Sequence, residues 1–314
     1  MILSIKRYKP EYKAQWDRFV SSAKNATFLF YRDFMEYHAD RFEDYSLLVY
    51  KNEKLVALMP ANKVSNSIYS HQGLTYGGLI LEKKTSFLKI SAIFDSVINF
   101  LKLKGFSKVF IKQIPGFYCS EPSYELGYYL SKKHTTFHSE MVFAIDYKLP
   151  FNIHKTKLKH FRKAKVFGFE IKENDELSIF WDRILKKRLL EKHNTKPVHT
   201  LFEINNLQNA FPNNIKQFNI YLEGEILAGI TIFEMGGVVK SQYGATSLKG
   251  EKFRALDYLF LHLIYKYKKE NKEYFSMGTV VENNDMGFNA GLVKQKEELG
   301  ARVYLQHFFS LDLE

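Results

Sequence analysis

Two histidines of this 314-residue chain lie in segments where an imidazole could accept a proton during a reaction. His71 belongs to the polar, glycine-rich stretch 70–78, which interrupts an apolar segment and so favours a cleft-facing backbone. His199 directly precedes a helical pattern. An imidazole with its ordinary pKa can act as a general base near neutral pH. We predict both as catalytic candidates, with Glu282 and Tyr243 as further ones; the alternative for each histidine is an ordinary loop or capping role.

A basic stripe is the strongest charge feature of the chain. It consists of Lys155, Lys159, Arg162 and Lys163, which recur at i, i+4, i+7 and i+8 on one side of a predicted helix over residues 154–167. Such a stripe would bind a nucleotide diphosphate or a tRNA backbone equally well. The alternative interpretation is a solvated helix face that binds no ligand. The formal net charge of +12 favours an anionic partner, whether nucleic acid, a membrane surface or a ligand with several phosphates.

The cysteine content limits the chemistry. Cys119 is the only cysteine, so the chain can form neither an intrachain disulfide nor a cysteine-based zinc site, and we expect no metal. A small buried apolar role is the preferred interpretation of this residue over a thiol nucleophile. The N-terminus lacks the apolar stretch of a signal peptide, and residues 64–81 are too polar to span a membrane. The sequence is therefore predicted to be cytoplasmic.

The elements that would position these residues occur twice. Residues 48–60 read as strand, polar turn, strand, and residues 220–232 read the same way without a gap. Asn52 and Gly224 occupy the turns, where a hairpin needs positive φ. The repeat predicts two structurally related halves.

The similarity continues downstream of each hairpin. The predicted pairs are strands at 68–81 and 238–246, amphipathic helices starting near 87 and 256, strands at 108–114 and 274–277, helices at 123–133 and 288–299, and strands at 137–147 and 302–313. Further helices are predicted at 177–192 and 200–210. Two copies of one β-β-β-α-β-α-β unit, at 1–150 and 151–314, are the simplest account. This order predicts mixed sheets covered on both faces.

Three stretches carry a resemblance to a known group. Residues 157–171 are similar to the inter-domain helix of the FemABX peptidyltransferases, and residues 274–278 are similar to their penultimate strand. Residues 291–300 are similar to a helix of that family with the pattern Gly-Leu, Phe-Lys, Phe-Gly. In this chain Gln295 and Leu299 stand where that pattern has its two phenylalanines. The chain thus resembles the GCN5-related N-acetyltransferases (GNAT) in tandem, including FemABX proteins and the sugar N-acyltransferases of bacterial surface-polysaccharide pathways. The resemblance implies an α/β (α+β) protein of two tandem GNAT-like domains, each a mixed twisted sheet with helices on both faces.

The resemblance also implies binding residues. Acetyl-CoA-binding members carry a glycine-rich turn whose backbone N–H groups approach the pyrophosphate. The equivalent stretch here, residues 247–254, retains only Gly250, so Lys252 and Arg254 are predicted to contribute to coenzyme A binding in the second copy. The candidates for substrate binding, besides the basic stripe, are Tyr76, Asn289 and Lys294. The last two lie on the final helix, where family members line the acceptor cleft.

Acylation of an amine by a thioester needs a positioned donor carbonyl, a hydrogen-bond donor for the oxyanion and a proton acceptor, without a covalent enzyme intermediate. The leading hypothesis is transfer of a short acyl group from acyl-CoA to the amino group of a dTDP- or UDP-linked amino sugar for O-antigen or capsule assembly. One alternative is a tRNA-dependent aminoacyltransferase acting on a peptidoglycan precursor, although the long helical insertion of such proteins is missing. Another is a non-catalytic basic module that binds nucleic acid or anionic lipid.

Overall fold

The computed structural model describes residues 2–133, 135–173 and 176–313. The chain divides into two compact units: unit 1 comprises Met1–Glu140 and Leu305–Glu314, and unit 2 comprises Met141–Tyr304. The sequence placed the division at residue 150 and left the C-terminus in the second half. The structure instead groups the last ten residues with unit 1, because residues 308–312 pair with a strand of that unit.

Unit 1 contains two sheets and the helices packed on them. Its strands are β1 (Leu3–Arg7), β2 (Glu43–Asp44), β3 (Leu47–Lys51), β4 (Lys54–Met59), β5 (Asn62–Val64), β6 (Ser67–Tyr69), β7 (Ile80–Leu81) and β8 (Lys108–Lys112). Its helices are α1 (Lys13–Ser22), α2 (Arg32–Met35), α3 (Phe87–Leu103) and α4 (Glu125–Ser131). One sheet has the order β1-β3-β4-β7. In the other, β8 lies between β6 and the C-terminal strand, followed outward from β6 by β5 and β2.

The apolar periodicity of the first long helix predicted its buried face. In α3 the buried residues are Ile90, Ile93, Phe94, Val97 and Leu101, which pack into the core of unit 1. Burying one such side chain contributes about 1.5–3 kcal/mol, so this face anchors the helix on the sheet.

The first half departs from the predicted strand at 68–81. Only residues 68–69 and 80–81 of this stretch are in named strands, and the segment between them is irregular. His71 and Gly78 adopt positive φ values of 66° and 97°, which a regular strand does not allow. A Cβ at Gly77 would lie 2.0 Å from the Ser70 carbonyl oxygen, so the chain passes close to itself here.

Unit 2 contains one sheet flanked by helices. Its helices are α5 (Lys155–Ala164), α6 (Leu177–Phe180), α7 (Lys186–His193), α8 (Leu201–Ala210), α9 (Leu248–Phe253), α10 (Ala255–Lys269) and α11 (Ala290–Glu298). Its strands are β10 (Glu170–Glu173), β11 (Ile215–Leu222), β12 (Glu225–Met235), β13 (Val238–Thr246) and β14 (Tyr274–Thr279). Strand β9 (Thr135–Asp146) begins in unit 1 and ends in unit 2, whereas β15 (Arg302–Asp312) begins in unit 2 and ends in unit 1. The sheet order in unit 2 is β10-β11-β12-β13-β14-β9.

The repeated hairpins are confirmed as β3–β4 and β11–β12. Their turns occupy residues 52–53 and 223–224, and all four residues have positive φ, as a two-residue type I′ connection requires. Asn52 therefore corresponds to Glu223 rather than to Gly224, a shift of one position from the sequence comparison. The structure also confirms the order of strands and helices that follows each hairpin, apart from the irregular segment of unit 1.

Candidate functional site

Strands β13 and β14 of unit 2 separate along their length. They pair in parallel only from Val238 opposite Tyr274 to Lys240 opposite Ser276, although β13 continues to residue 246 and β14 to residue 279. A bulge accompanies the separation, since Thr231 of β12 faces Tyr243 while the next residue, Ile232, faces Ser241, which leaves Gln242 as the extra residue. A bulge re-aims backbone groups and ends regular pairing. Beyond Lys240 and Ser276 no ladder pairing joins the two strands in the described residues, and we call this gap in the sheet the β13–β14 cleft.

A cavity of about 350 Å³ lies beside the final residues of β13. Its lining comes from α7, β13, α9, α10 and α11, and we call it the unit-2 cavity. The lining residues are Arg188, Leu189, Lys192, Gly244, Ala245, Thr246, Gly250, Glu251, Arg254, Leu256, Asp257, Leu292 and Gln295. The basic members are partly neutralised, because Arg188 pairs with Glu251 and Lys192 Nζ lies 2.7 Å from the same carboxylate.

Gly250 lines this cavity, but its backbone is occupied within the protein. Its N–H donates to Ser247 Oγ at 3.0 Å, which caps α9. A Cβ at this position would lie 2.3 Å from the Leu227 carbonyl oxygen and 2.4 Å from Thr246 Oγ1. Packing against β12 therefore explains the glycine without a bound phosphate. Contact with an anionic donor would depend on side chains such as the exposed Arg254.

Two catalytic candidates that are 44 residues apart in sequence meet in unit 2. His199 Nδ1 and Tyr243 Oη lie 2.5 Å apart, and the His199 backbone N–H donates to the same hydroxyl at 3.2 Å. Burial raises the pKa of Tyr243 to about 12, so the phenol keeps its proton at neutral pH. The hydroxyl can then donate to Nδ1 while accepting from the backbone. The indole of Trp181 packs edge-on against Tyr243 and donates to the His199 carbonyl, which fixes the pair.

A buried lysine that the sequence reasoning missed lies on the same unit. Lys296 of α11 is only 7% exposed, and its Nζ donates to the carbonyl oxygens of Gly278 at 3.2 Å and Thr279 at 2.6 Å, at the end of β14. Burial lowers its pKa to about 8. The ammonium thus has two backbone partners and a third donor position. The sequence does place Lys296 in the helix that resembles the Gly-Leu, Phe-Lys, Phe-Gly pattern, but it does not show that this lysine is buried.

The other candidates on this side of unit 2 organise a loop. Glu282 accepts from the side-chain amides of Asn284 at 2.7 Å and Asn289 at 2.8 Å. Asn289 Oδ1 accepts from the Leu292 N–H at 2.9 Å and so caps α11. Lys294 is exposed. The structure shows a shared structural role for Glu282 and Asn289, and the catalytic role of Glu282 and the substrate-binding role of Asn289 stay predictions.

Unit 1 has a larger cavity, of about 510 Å³, that the sequence did not predict. It lies over β6, β8 and the end of β15, and we call it the unit-1 cavity. The lining residues are Tyr69, Ser70, His71, Gln72, Lys108, Phe110, Ile111, Lys112, Thr136, His138, Phe308, Phe309 and Ser310.

Flat aromatic pairs and two lysines dominate this lining. Tyr69 stacks on Phe110 with centroids 4.5 Å apart and planes 8° apart, and His138 stacks on Phe308 at 4.6 Å and 9°. Lys112 Nζ lies 5.9 Å from the Phe308 ring centroid. Such a surface suits a ligand that combines a planar or apolar body with an anionic group.

His71, the first catalytic candidate, belongs to this cavity. Burial, with the neighbouring His38 ring as a second cause, lowers its pKa to about 3. The two imidazoles stack with centroids 5.1 Å apart. An imidazole with so low a pKa is a weak proton acceptor at neutral pH, which disfavours the predicted role as general base. Its Nδ1 is buried and has no hydrogen-bond partner among the described residues.

Tyr76, predicted to bind substrate, lies in the core of unit 1 instead. It is 0% exposed, and its hydroxyl donates to Thr27 Oγ1 at 3.0 Å. Phe30 and Tyr118 pack against its ring. A side chain enclosed in this way cannot line a cleft, so the prediction for Tyr76 is corrected to a packing role.

The predicted basic stripe forms as expected on α5. All four of its residues, Lys155, Lys159, Arg162 and Lys163, are exposed, and none makes an ion pair with another described residue. Lys157 lies on a different side of the helix and pairs with Asp257 at 2.7 Å. Near the C-terminal end of α5, the exposed Lys163 and the α9 residue Lys252 line a smaller cavity of about 160 Å³ together with Arg254. Residues predicted for the donor and for the substrate therefore meet in one place.

In the described part of the chain, no helix is both long and apolar enough to cross a lipid bilayer. No protein-family model matches the sequence, and neither does any curated protein.

Solved structures are similar over nearly the whole chain. FemX is 12% identical with a TM-score of 0.70, covering 98% of this chain and 96% of its own. L-PGS from Bacillus licheniformis is 14% identical with a TM-score of 0.61, covering 96% and 91%. A tandem GNAT protein from the clavulanic acid biosynthesis pathway is 8% identical with a TM-score of 0.54, covering 100% and 99%. At these identities the similarity concerns the fold, and it confirms the predicted architecture.

Proposed function

We propose that this chain, which has the FemX-like tandem GNAT fold, is an N-acyltransferase that moves a short acyl group from acyl-CoA to an amine. The observation that carries the proposal is the cleft between β13 and β14, with a backbone bulge at Gln242 and the Lys296 ammonium at the end of β14. A thioester carbonyl held in such a cleft would have donors for the oxyanion that develops during attack.

The chemistry would proceed by direct attack. The amine nitrogen forms a bond to the thioester carbonyl carbon, and the carbon–sulfur bond then breaks to release the thiolate of coenzyme A. Lys296 and backbone N–H groups near the bulge would stabilise the tetrahedral oxyanion. The Tyr243 hydroxyl would take a proton from the attacking amine as it passes its own proton to His199 Nδ1, 2.5 Å away. No side chain needs to form a covalent intermediate.

The unit-1 cavity supports a nucleotide-linked amino sugar as the acceptor. Stacked pairs such as Tyr69–Phe110 offer flat faces for a nucleobase or a sugar ring. Lys112 on the same lining offers positive charge for phosphates, whereas Lys108 is already paired with Asp312 at 3.2 Å. A dTDP- or UDP-linked amino sugar combines these groups, and its N-acylated product would feed O-antigen or capsule assembly.

A second candidate function is aminoacyl transfer from charged tRNA, and the basic stripe on α5 favours it. Four exposed basic residues along one side of α5 form an extended cationic surface, and the phosphate backbone of RNA would engage them with strong salt dependence. The similarity of the fold to that of FemX makes this alternative worth an explicit test.

The test is release of free thiol from a set of acyl-CoA donors, acetyl and 3-hydroxybutanoyl among them, with a panel of dTDP- and UDP-linked amino sugars. Release that depends on one amino sugar is the expected result. Turnover only with charged tRNA would favour the second function, aminoacyl transfer. No turnover with either donor, combined with salt-sensitive binding to nucleic acid or anionic vesicles, would leave a non-catalytic binding module.

A further inference from the structure

The surface of unit 1 where α3 begins beside α4 exposes several apolar and aromatic side chains together. Leu88 of α3 is 76% exposed, and Tyr124 and Tyr128, at the start of α4, are 65% and 59% exposed. Phe87 joins the two helices, because its ring lies edge-on to that of Tyr128 with centroids 5.8 Å apart. Single exposed apolar residues are common, but a contiguous group of four is typical of an interaction site. We call these four residues the aromatic patch.

Lysines line a small cavity beside the first turn of α3. The cavity has a volume of about 130 Å³, and residues of β1, β3 and β4 also line it. Its cationic members are Lys51, Lys83, Lys84 and Lys89. None of these lysines makes an ion pair with another described residue, whereas Glu82, the one carboxylate on the lining, is paired with Lys54 at 2.8 Å. We call it the lysine cavity, and it carries an unbalanced positive charge.

Leu88 projects between the aromatic patch and the lysine cavity. Successive side chains of a helix point about 100° apart. Phe87 contacts Tyr128 of α4 and Lys89 lines the lysine cavity, so Leu88 points outward between these two directions. On α4, Lys132 Nζ lies 5.5 Å from the ring centroid of Tyr128. The exposed apolar side chains are therefore bordered by lysines from both helices.

The acidic residues of the two helices do not offset these lysines. Helices α3 and α4 contain one carboxylate each, Asp95 and Glu125. Asp95 is paired with Lys133 at 3.3 Å, and Glu125 is paired with Lys24 at 2.7 Å. The surface therefore keeps a positive charge, as does the whole chain with its formal net charge of +12.

We propose that the aromatic patch and the lysine cavity dock unit 1 onto a membrane surface that contains anionic lipid. The lysines contact headgroup phosphates, while Leu88, Phe87 and the two tyrosine rings enter the boundary between headgroups and acyl chains. RNA would engage the lysines through its phosphates but offers no apolar layer for an exposed leucine. The apolar side chains within a cationic surface therefore favour a lipid partner. This inference is independent of the proposed acyl transfer.

Co-sedimentation of the full chain with lipid vesicles tests the docking directly. Binding to vesicles of phosphatidylglycerol and phosphatidylcholine should be saturable and should weaken at high ionic strength, whereas vesicles of phosphatidylcholine alone should bind little protein. Leu88→Gln should weaken the binding about tenfold, because an apolar contact is lost. Lys83→Ala combined with Lys89→Ala should weaken it about twentyfold, since each lysine near an anionic surface contributes about fivefold.

Two matched controls separate this surface from the rest of the chain. Leu103→Gln changes a leucine that is 87% exposed at the other end of α3. Lys155→Ala combined with Lys159→Ala removes two exposed lysines from the basic stripe on α5. Each control should leave vesicle binding within about twofold of wild type.

A fluorescence measurement locates the contact on α3. The native tryptophans, Trp16 and Trp181, are both buried, so an indole placed on the surface reports its own surroundings. Leu88→Trp should show a blue-shifted emission when anionic vesicles are added, and brominated lipid should quench it. Leu103→Trp should show neither effect.

Several outcomes would overturn the inference. One is equal binding to vesicles with and without anionic lipid, and another is an equal loss of binding in the α3 variants and in their controls. An emission of Leu88→Trp that vesicles do not change would also overturn it. Binding to an RNA duplex that the lysine variant loses and Leu88→Gln retains, without binding to vesicles, would assign the surface to nucleic acid instead.

Discussion

Substitution of Lys296 should affect catalysis more than stability, because burying its ammonium costs free energy and only two hydrogen bonds to carbonyl oxygens offset that cost. Burial lowers its pKa from 10.5 to about 8, which corresponds to a cost of about 3 kcal/mol for keeping the charge at neutral pH. The bonds to the Gly278 and Thr279 carbonyls offset this by about 1.5–3 kcal/mol each. Lys296→Met keeps the apolar stem, so we expect it to lower the free energy of unfolding by no more than about 3 kcal/mol.

The expected effect of Lys296→Met on catalysis is larger. Loss of an oxyanion donor lowers kcat by about 10²–10³. Urea unfolding followed by circular dichroism and thiol release with acyl-CoA measure the two effects on the same preparation. Lys269→Met, an exposed lysine at the end of α10, is the control and should alter neither. A folded Lys296→Met protein whose kcat stays within about threefold of wild type would refute the proposed role.

The pH dependence of stability checks the same lysine independently. The folded-state pKa of about 8 lies below the value of 10.5 for an exposed lysine, so between these values the unfolded state binds more protons. The free energy of unfolding of the wild type should therefore rise, relative to Lys296→Met, as pH increases from 8 to 10.5. A constant difference between the two proteins over this range would show that the ammonium is not desolvated.

Three further predictions concern other positions. Tyr243→Phe should lower kcat by about 10²-fold with little change in the KM for acyl-CoA, as measured by thiol release. An unchanged kcat would exclude proton transfer through Tyr243 to His199. Gly250→Ala should destabilise unit 2 by about 1–3 kcal/mol in urea, because its Cβ would lie 2.3 Å from the Leu227 carbonyl oxygen; equal stability would contradict that close approach. The pKa of His71 is about 3 in the folded protein against 6.5 when exposed, so the free energy of unfolding of the wild type should fall as pH decreases from 6.5 towards 3. In His71→Gln the same acid titration of stability should show a weaker pH dependence. Identical titrations of the two proteins would exclude a buried neutral imidazole.

The fold was predictable because its signals are local and repeated. Both hairpins, both long helices and both closing strands follow from apolar periodicity and turn residues, and their recurrence identified the tandem unit. The predicted strand at 68–81 was wrong over its middle. Its apolar residues belong to an irregular segment where positive φ at His71 and Gly78 and the close approach of Gly77 to Ser70 break the pairing.

The site was less predictable because its geometry depends on contacts between distant residues. His199 and Tyr243 were each named, but no sequence pattern indicated that they lie 2.5 Å apart. The sequence analysis predicts Lys294 as a binding residue, but Lys296 is the buried lysine of this helix, because the sequence of a helix end does not reveal which lysine is buried. Tyr76 was assigned to a cleft from its glycine-rich neighbours, whereas the core encloses it.

The unit-1 cavity could not be predicted because its lining combines residues from the two ends of the chain. Tyr69 and Phe110 come from the first half, and Phe308 comes from the C-terminal strand that pairs with β8. The sequence comparison had assigned that strand to the second copy. Only the observed register of β15 brings these side chains onto one face.

The most direct test of the central claim follows the acyl group itself. The full chain would be incubated with acetyl-CoA labelled with carbon-13 at the carbonyl and with the panel of nucleotide-linked amino sugars, and the products analysed by mass spectrometry and carbon NMR. We expect a labelled amide on one amino sugar, formed by the wild type and strongly reduced in both Tyr243→Phe and Lys296→Met. A labelled product formed at the wild-type rate by both variants would contradict the assigned site, and label that never leaves coenzyme A for any amine would contradict the proposed acyl transfer.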